Sequence, residues 1–253
     1  MFDLNSITTG VTDDAPIITI YGPEGVGKST FGSMAPNPIG VPTENGLRNI
    51  DVAKFPVSKS WEEFTSVLNV LATGKHEYRT AFFDSLDWLE KLIHQKVAKD
   101  NNKNSIEEIG YGKGYKFAID YWQQFVETLQ YLVKERNMMV INIAHAAISR
   151  FNDPESESYD TYKIKLHDGA ESLIKEMSDM VLFVNYKKAL KIQDTGFNQK
   201  RNIAAGDLGR AIYTVKRPAF FAKNRYKLPP EIPFTEDGAH WGIIAEKVKY
   251  LNV

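Results

Sequence analysis

The 253-residue chain is predicted to fold as an α/β protein, with a mainly parallel central sheet flanked by helices and a β-hairpin extension toward the C-terminus. Three observations predict it. Short apolar runs rich in β-branched and aromatic residues alternate with helical patterns along the chain. Several of these runs are apolar throughout, as in strands buried on both faces. A glycine-rich turn, GPEGVGKST at residues 22–30, joins the first run to the first helical pattern.

The elements follow in order. Residues 16–21 (PIITIY) read as a strand entering the glycine turn, and 29–34 open the helix leaving it. A weaker apolar run at 38–42 ends in Thr43-Glu44-Asn45-Gly46. Over 60–71, Trp61, Phe64, Val67, Leu68 and Leu71 form a helical stripe, with Ser60 as cap and Glu63 three residues on. Residues 80–83 are a strand stopping at Asp84, 86–98 a helix, 99–104 a polar loop and 115–136 a long amphipathic helix. A strand at 138–144 (MMVINIA) precedes a polar stretch over 149–166. Then come a helix at 170–177, a strand at 180–184 and a strand-turn-strand pattern over 186–225, its polar turn at 194–207. Residues 1–230 are expected to form one core with a short N-terminal tail, and 231–253 a short C-terminal tail with one helix.

Composition excludes several classes. With 43% hydrophobic and 12% aromatic residues the chain can bury a sizeable core. A formal net charge of −1 supplies no global basic field, so any nucleic-acid surface must be local. The chain has no cysteine, which rules out disulfides, thiol catalysis and Cys-ligated zinc. Residues 1–14 lack the basic and apolar regions of a secretory leader, and no run approaches the roughly 20 apolar residues of a membrane span. The expectation is a soluble, cytoplasmic protein with no membrane partner.

The chemistry starts at the glycine turn, which fits G-x-x-x-x-G-K-[ST] between a strand and a helix. In such a loop backbone amides turn inward on phosphates, and the helix N-terminus favours negative charge. Gly22, Pro23, Glu24, Gly25, Val26, Gly27, Lys28, Ser29 and Thr30 are the expected cradle for ATP or ADP. Lys28 would reach the β- and γ-phosphates, and the Ser29 hydroxyl would ligate Mg²⁺. Asp84, just past the carboxyl end of a strand, is the second candidate metal ligand; its other reading is a helix cap. Asp87 reads as a first-turn helix residue. Glu44 is the candidate general base for an attacking water, against the plainer reading of an exposed loop carboxylate; Glu24 competes for that role. His145, closing the strand VINIAH, is either a sensor of the γ-phosphate or a structural histidine.

Taken in order, GPEGVGKST, PTENGL, AFFDSLD, VINIAH and AKNRY resemble the RecA-like recombinase ATPases, and among them the phage single-strand annealing branch grouped as Sak-type. The resemblance spans about residues 17–230. It implies a RecA-like P-loop core in which Glu44 activates water and His145 couples the γ-phosphate to a DNA-binding loop, although many relatives carry Gln there. It further implies that Lys223-Asn224-Arg225 matches the family's K-N-K/R element, which reaches the neighbouring subunit's ATP. Lys223 and Arg225, two apart, would face the same way on a strand; without the resemblance they read as a basic surface strand. The implied DNA-contacting segments are 109–115, which interleaves Gly, Tyr and Lys, and 146–165, where Arg150, Phe151, Tyr159, Tyr162, Lys163 and Lys165 are diluted by four acidic residues.

The resemblance thus implies a Mg²⁺-dependent, DNA-stimulated ATPase in phage recombination or annealing. Its partners would be single-stranded DNA, further copies of the chain in a ring or filament, and a single-stranded-DNA-binding protein. Two departures stand out: the first strand begins within about 17 residues, and little follows residue 230. Both weigh against strand invasion and for annealing. A hexameric replicative helicase, a nucleotide kinase and a nucleotide switch with little hydrolysis remain open.

Overall fold

The computed structural model describes residues 3, 7, 9–10, 13–153, 157–187, 189–194, 200–205 and 209–252. Strand β1 (Ile17–Gly22) is buried along its whole length, as an apolar run in the middle of a sheet must be. Helix α1 (Lys28–Ser33) leaves the glycine loop and leads into β2 (Pro38–Pro42) and the two-residue strand β3 (Ala53–Lys54). Helix α2 (Trp61–Thr73) begins as predicted: the Ser60 side chain accepts a hydrogen bond from the Glu63 amide at 3.1 Å. Then follow β4 (Thr80–Asp84), α3 (Leu86–Asp100) and the 24-residue α4 (Lys113–Arg136). Ala118, Trp122, Phe125, Val126, Leu129 and Leu132 form the buried stripe of α4.

Strand β5 (Met139–Phe151) is 13 residues long and pairs antiparallel with β6 (Tyr159–Ile164). The polar stretch expected over 149–166 is therefore largely a β-hairpin, and β5 does not stop at Ala144. Helix α5 (Asp168–Met177) precedes β7 (Met180–Tyr186). Strands β8 (Ala189–Asp194) and β9 (Lys200–Ala205) make a separate two-stranded sheet, so β9 occupies part of the stretch read as a turn; 195–199 and 206–208 lie outside the described residues. Strands β10 (Arg210–Tyr213), β11 (Lys223–Asn224) and β12 (Glu231–Phe234) and helix α6 (Ala239–Ala245) complete the chain.

The main sheet runs β12-β10-β7-β1-β5-β4-β2-β3. From β7 to β3 the neighbours are parallel; β10, β11 and β12 join antiparallel. The expected α/β fold with a mainly parallel, helix-flanked sheet is the one observed. Because successive strand residues point to opposite faces, the strands feed two cores. Ile17, Tyr21, Phe83, Val140 and Phe183 pack with α2, α3, α4 and α5. Ile18, Ile20, Phe82, Ile141 and Leu182 pack on the other side with Phe31 of α1 and with Trp241 and Ile244 of α6. Residues 231–252 thus enter the sheet and its core through β12 and α6. Among the described residues no helix is long and apolar enough to cross a membrane.

Candidate nucleotide site

Strands β1 and β4 end on either side of β5, where the sequence motifs converge. In register, Gly22 of β1 lies opposite His145 of β5, and Asp84 of β4 opposite Ile143 of β5. The carboxyl edge of a parallel sheet is where α/β proteins place ligands, because loops rather than helices cover it. The glycine loop bends away here in a conformation that only small residues allow. A Cβ on Gly22 would collide with the Val184 carbonyl oxygen, and Gly27, at φ 101°, would bring one to 2.7 Å from the Phe234 ring. Helix α1 starts at Lys28, leaving its first amides without intrahelical partners. Val26 is buried beneath the loop, Glu24 and Gly25 are exposed, and the Thr30 carbonyl accepts the Ser33 hydroxyl.

The side chains of the loop are held from both ends. The Lys28 ammonium donates to the carbonyls of Gly22 (3.0 Å) and Pro23 (2.7 Å). Burial lowers its pKa, with Asp84, Asp87, Glu24 and Glu44 pulling the other way. The Ser29 hydroxyl donates to Asp84 Oδ2 at 2.6 Å. Burial raises the Asp84 pKa against the Ser29 hydrogen bond, and Glu44 raises it further. A hydroxyl and a carboxylate meeting beside a phosphate loop are the hard oxygen donors that Mg²⁺ takes when nucleotide and water complete its shell, so these residues fit that ion. Among the described residues no cluster of three or more His, Asp or Glu offers an all-protein metal site.

Glu44 sits one step further along the same edge. The Thr43 amide donates to the Asp84 carbonyl (2.8 Å), and the Thr43 hydroxyl donates to the Ser85 carbonyl (2.7 Å) and accepts from the Ser85 amide (2.9 Å). That lacing aims the two loops at each other, and the Ser85 hydroxyl donates to Glu44 Oε1 at 2.7 Å. His145 is held from below: its amide donates to Asp87 Oδ1 at 3.1 Å, and its Nδ1 lies 3.0 Å from both carboxylate oxygens. Burial raises the Asp87 pKa, but these contacts outweigh it and hold the carboxyl below its ordinary range. Asp87 is thus a missed member of the site. Two others come from the far wall, where the Arg210 guanidinium stacks over Phe234 (4.9 Å) and donates to the Val26 carbonyl (3.4 Å). The Tyr186 hydroxyl donates to the Gly25 carbonyl at 3.3 Å. No local pattern marks Arg210 or Tyr186, since both reach the loop only through the sheet.

Lys223 and Arg225 are elsewhere. β11 pairs with the start of β7, Lys223 opposite Val181 and Asn224 opposite Met180, and Met180 in turn lies opposite Ile18. This is the amino edge of the sheet, about 13 Å down β1 from Gly22 at roughly 3.3 Å per residue. Lys223 donates to the Lys175 and Glu176 carbonyls at the end of α5 (both 3.0 Å), and Arg225 pairs with Asp179 at 2.9 Å. Of the segments expected at DNA, 109–115 carries Tyr111 fully exposed in a left-handed conformation, and its Tyr115 stacks on His167 at 4.4 Å. Of the 146–165 segment, residues 146–151 and 159–164 pair as the β5–β6 hairpin, and 154–156 lie outside the described residues.

The chain is similar to known proteins. The SPbeta prophage-derived uncharacterized protein YorG of Bacillus subtilis (strain 168) is 26% identical over 140 residues, 53% of this chain and 42% of that protein, so less than half of the relative's length is spanned. The structure of the RadB recombinase aligns with a TM-score of 0.47 at 13% identity, over 89% of this chain and 90% of that one. The AAA domain family matches residues 14–226, a span that takes in the glycine loop, Glu44, Asp84 and His145. The chain belongs to the AAA domain family.

Proposed function

We propose that the protein is a Mg²⁺-dependent, RecA-like ATPase that acts on single-stranded DNA as a homo-oligomer, in phage recombination or strand annealing. One observation carries the ATPase reading: Lys28, the Ser29–Asp84 pair, the Glu44–Ser85 pair and the His145–Asp87 pair converge on one sheet edge around a phosphate-type loop. In this reading the loop amides and Lys28 bind the triphosphate, and Ser29 and Asp84 hold the metal. Mg²⁺ supplies neutralisation of charge on the β- and γ-phosphate oxygens. Glu44, oriented by Ser85, takes the proton of the attacking water. His145, fixed by Asp87, meets the terminal phosphate and passes its presence along β5 to the hairpin.

Lys223 and Arg225 lie at the opposite edge from their own glycine loop, which supports service to a neighbour's nucleotide, where charge developing on the phosphoryl oxygens needs a cation. The aromatic and basic residues of 109–115 and of the hairpin support DNA contact, and the prophage-derived relative supports a phage setting. In that setting its further partner is a single-stranded-DNA-binding protein.

The test is ATP turnover with and without added single-stranded DNA. Turnover is expected to need Mg²⁺ and to rise with DNA. Lys28→Ala should cut it on the order of a hundredfold or more, the scale for removing one preorganised charge at a transferring phosphoryl group. Normal turnover in Lys28→Ala would sink the ATP site. ATP binding with negligible hydrolysis, DNA or not, would replace the enzyme with a nucleotide switch.

A further inference from the structure

We infer that a groove between the β5–β6 hairpin and the 214–222 segment is a binding site for single-stranded nucleic acid; the assignment rests on the DNA reading above and gives it a place. The hairpin register sets Ala147 opposite Lys163, Ser149 opposite Thr161 and Phe151 opposite Tyr159. Directly opposed residues share a face, so this face ends in two aromatic rings, 5.4 Å apart, above two hydroxyls and a lysine. The other wall is a tight turn in which the Arg217 amide donates to the Phe220 carbonyl and the Phe220 amide to the Arg217 carbonyl. It is tied to the hairpin by the Tyr162 amide donating to the Ala219 carbonyl at 2.8 Å. Between the walls lies a cavity of about 230 Å³.

Its lining is basic and aromatic in alternation. Lys163, Lys175, Lys216 and Arg217 line the cavity with one carboxylate, Glu171, among the described residues. Glu171 is buried and acts as an anchor: it pairs with Lys175 at 2.5 Å, lies 4.0 Å from Lys163, and accepts the Ile164 amide at 3.2 Å. Asp168 pairs with Lys163 from outside the groove and Glu231 with Arg217. Lys175 lies over the Phe221 ring (4.6 Å), and Arg217 over those of Tyr213 (4.7 Å) and Phe220 (6.0 Å). Cations held among rings suit a chain of phosphates that also presents flat bases. A single strand offers base faces to Phe151 and Tyr159, whereas a duplex hides them in its stack. Neither Lys175 nor residues 216–221 belong to the segments that the sequence singled out for DNA.

The measurement is anisotropy of a short fluorescein-labelled oligothymidylate titrated with the full chain, repeated over a range of salt. Phe151→Ala/Tyr159→Ala should weaken binding by about tenfold or more, from lost base stacking. Lys216→Ala/Arg217→Ala should lower the slope of log affinity against log salt by roughly 1.4, at about 0.7 per single-strand phosphate contact. Unchanged melting temperature and ATP binding establish that the variants fold, and Lys216→Glu gives a second charge variant that leaves the rings intact. Parent binding that all three variants retain, with the same salt slope, overturns the groove while leaving DNA binding elsewhere. A parent that binds no oligonucleotide overturns the groove and the DNA reading together. Displacement of the probe by a glutamate-rich peptide at matched charge concentration, but not by unlabelled oligothymidylate, overturns it in favour of an acidic protein partner.

Discussion

A carboxylate as buried as that of Asp87, 5% exposed, stays charged because the amide and ring of His145 both face it. Its depressed pKa stabilises the fold in full above the ordinary value of 3.8, and that contribution is lost as pH falls through the lower folded-state value. Asp87→Asn should therefore cost about 1.5–3 kcal/mol at pH 7, the range for hydrogen bonds to a charged group, with the deficit shrinking below about pH 4 in thermal melts. Turnover should fall with it while ATP affinity holds, since His145 and not the glycine loop loses its support. Glu90, one turn along α3, has the opposite sign: burial pushes its carboxyl up to about 7, against the hydrogen bond from the His167 amide. An acid raised on folding costs stability as pH climbs from 4.5 toward 7, so melts at pH 5 and 7.5 should show Glu90→Gln flattening that slope. Lys28, Ser29, Asp84 and Glu44 were legible because the motif or a strand end announces them. Asp87 was not, since a first-turn acid satisfies a helix N-terminus by itself and its true partner is 58 residues away.

Among the elements, α6 braces the helix that leaves the glycine loop. Trp241 stacks on Phe31 of α1 at 4.6 Å, and its indole N–H donates to the Phe31 carbonyl at 3.2 Å. Trp241→Ala should cost about 3–5 kcal/mol of stability, as for other buried aromatic truncations, and should weaken ATP binding measured by calorimetry because α1 carries Lys28 and Ser29. The sequence offered one helix within 231–253 but not its docking, which depends on a core face assembled from distant strands. Strand β12 was hidden by Pro233, which demotes EIPF as a strand candidate; it is tolerated because β12 is an edge. The hairpin was hidden for another reason. Its outer residues include exposed Ile148, Arg150 and Asp160, so no apolar alternation marks either strand.

Across the whole molecule, the two edges of the sheet carry different halves of the proposed reaction. The nucleotide edge holds Lys28, Glu44 and Asp84, and the amino edge holds Lys223 and Arg225. Subunits carrying Lys223→Ala/Arg225→Ala should be weak alone, as should Glu44→Gln subunits, yet a mixture should recover ATP turnover at interfaces that pair two intact halves. Absence of recovery, with assembly intact by light scattering, counts against the trans arrangement. Lys223 also caps α5, so the double variant is expected to melt slightly earlier than the parent. The alternating pattern told of a parallel sheet, but strand order is a property of pairing between distant runs, and β5 lying between β1 and β4 left no local trace.

That unbroken β5 has a thermodynamic consequence. Met139 to Ala144 are buried in the sheet, His145 stands at the nucleotide edge, and Ser149 and Phe151 line the groove, all on one strand. In the proposed function both ligands would touch this one strand, and coupling between them requires that it have two states which each ligand binds with different affinity. Whatever factor ATP adds to oligonucleotide affinity, the oligonucleotide must add to ATP affinity, by reciprocity of linked equilibria. If the proposed sites are coupled, the effect of nucleotide on strand affinity and of strand on nucleotide affinity would therefore be equal.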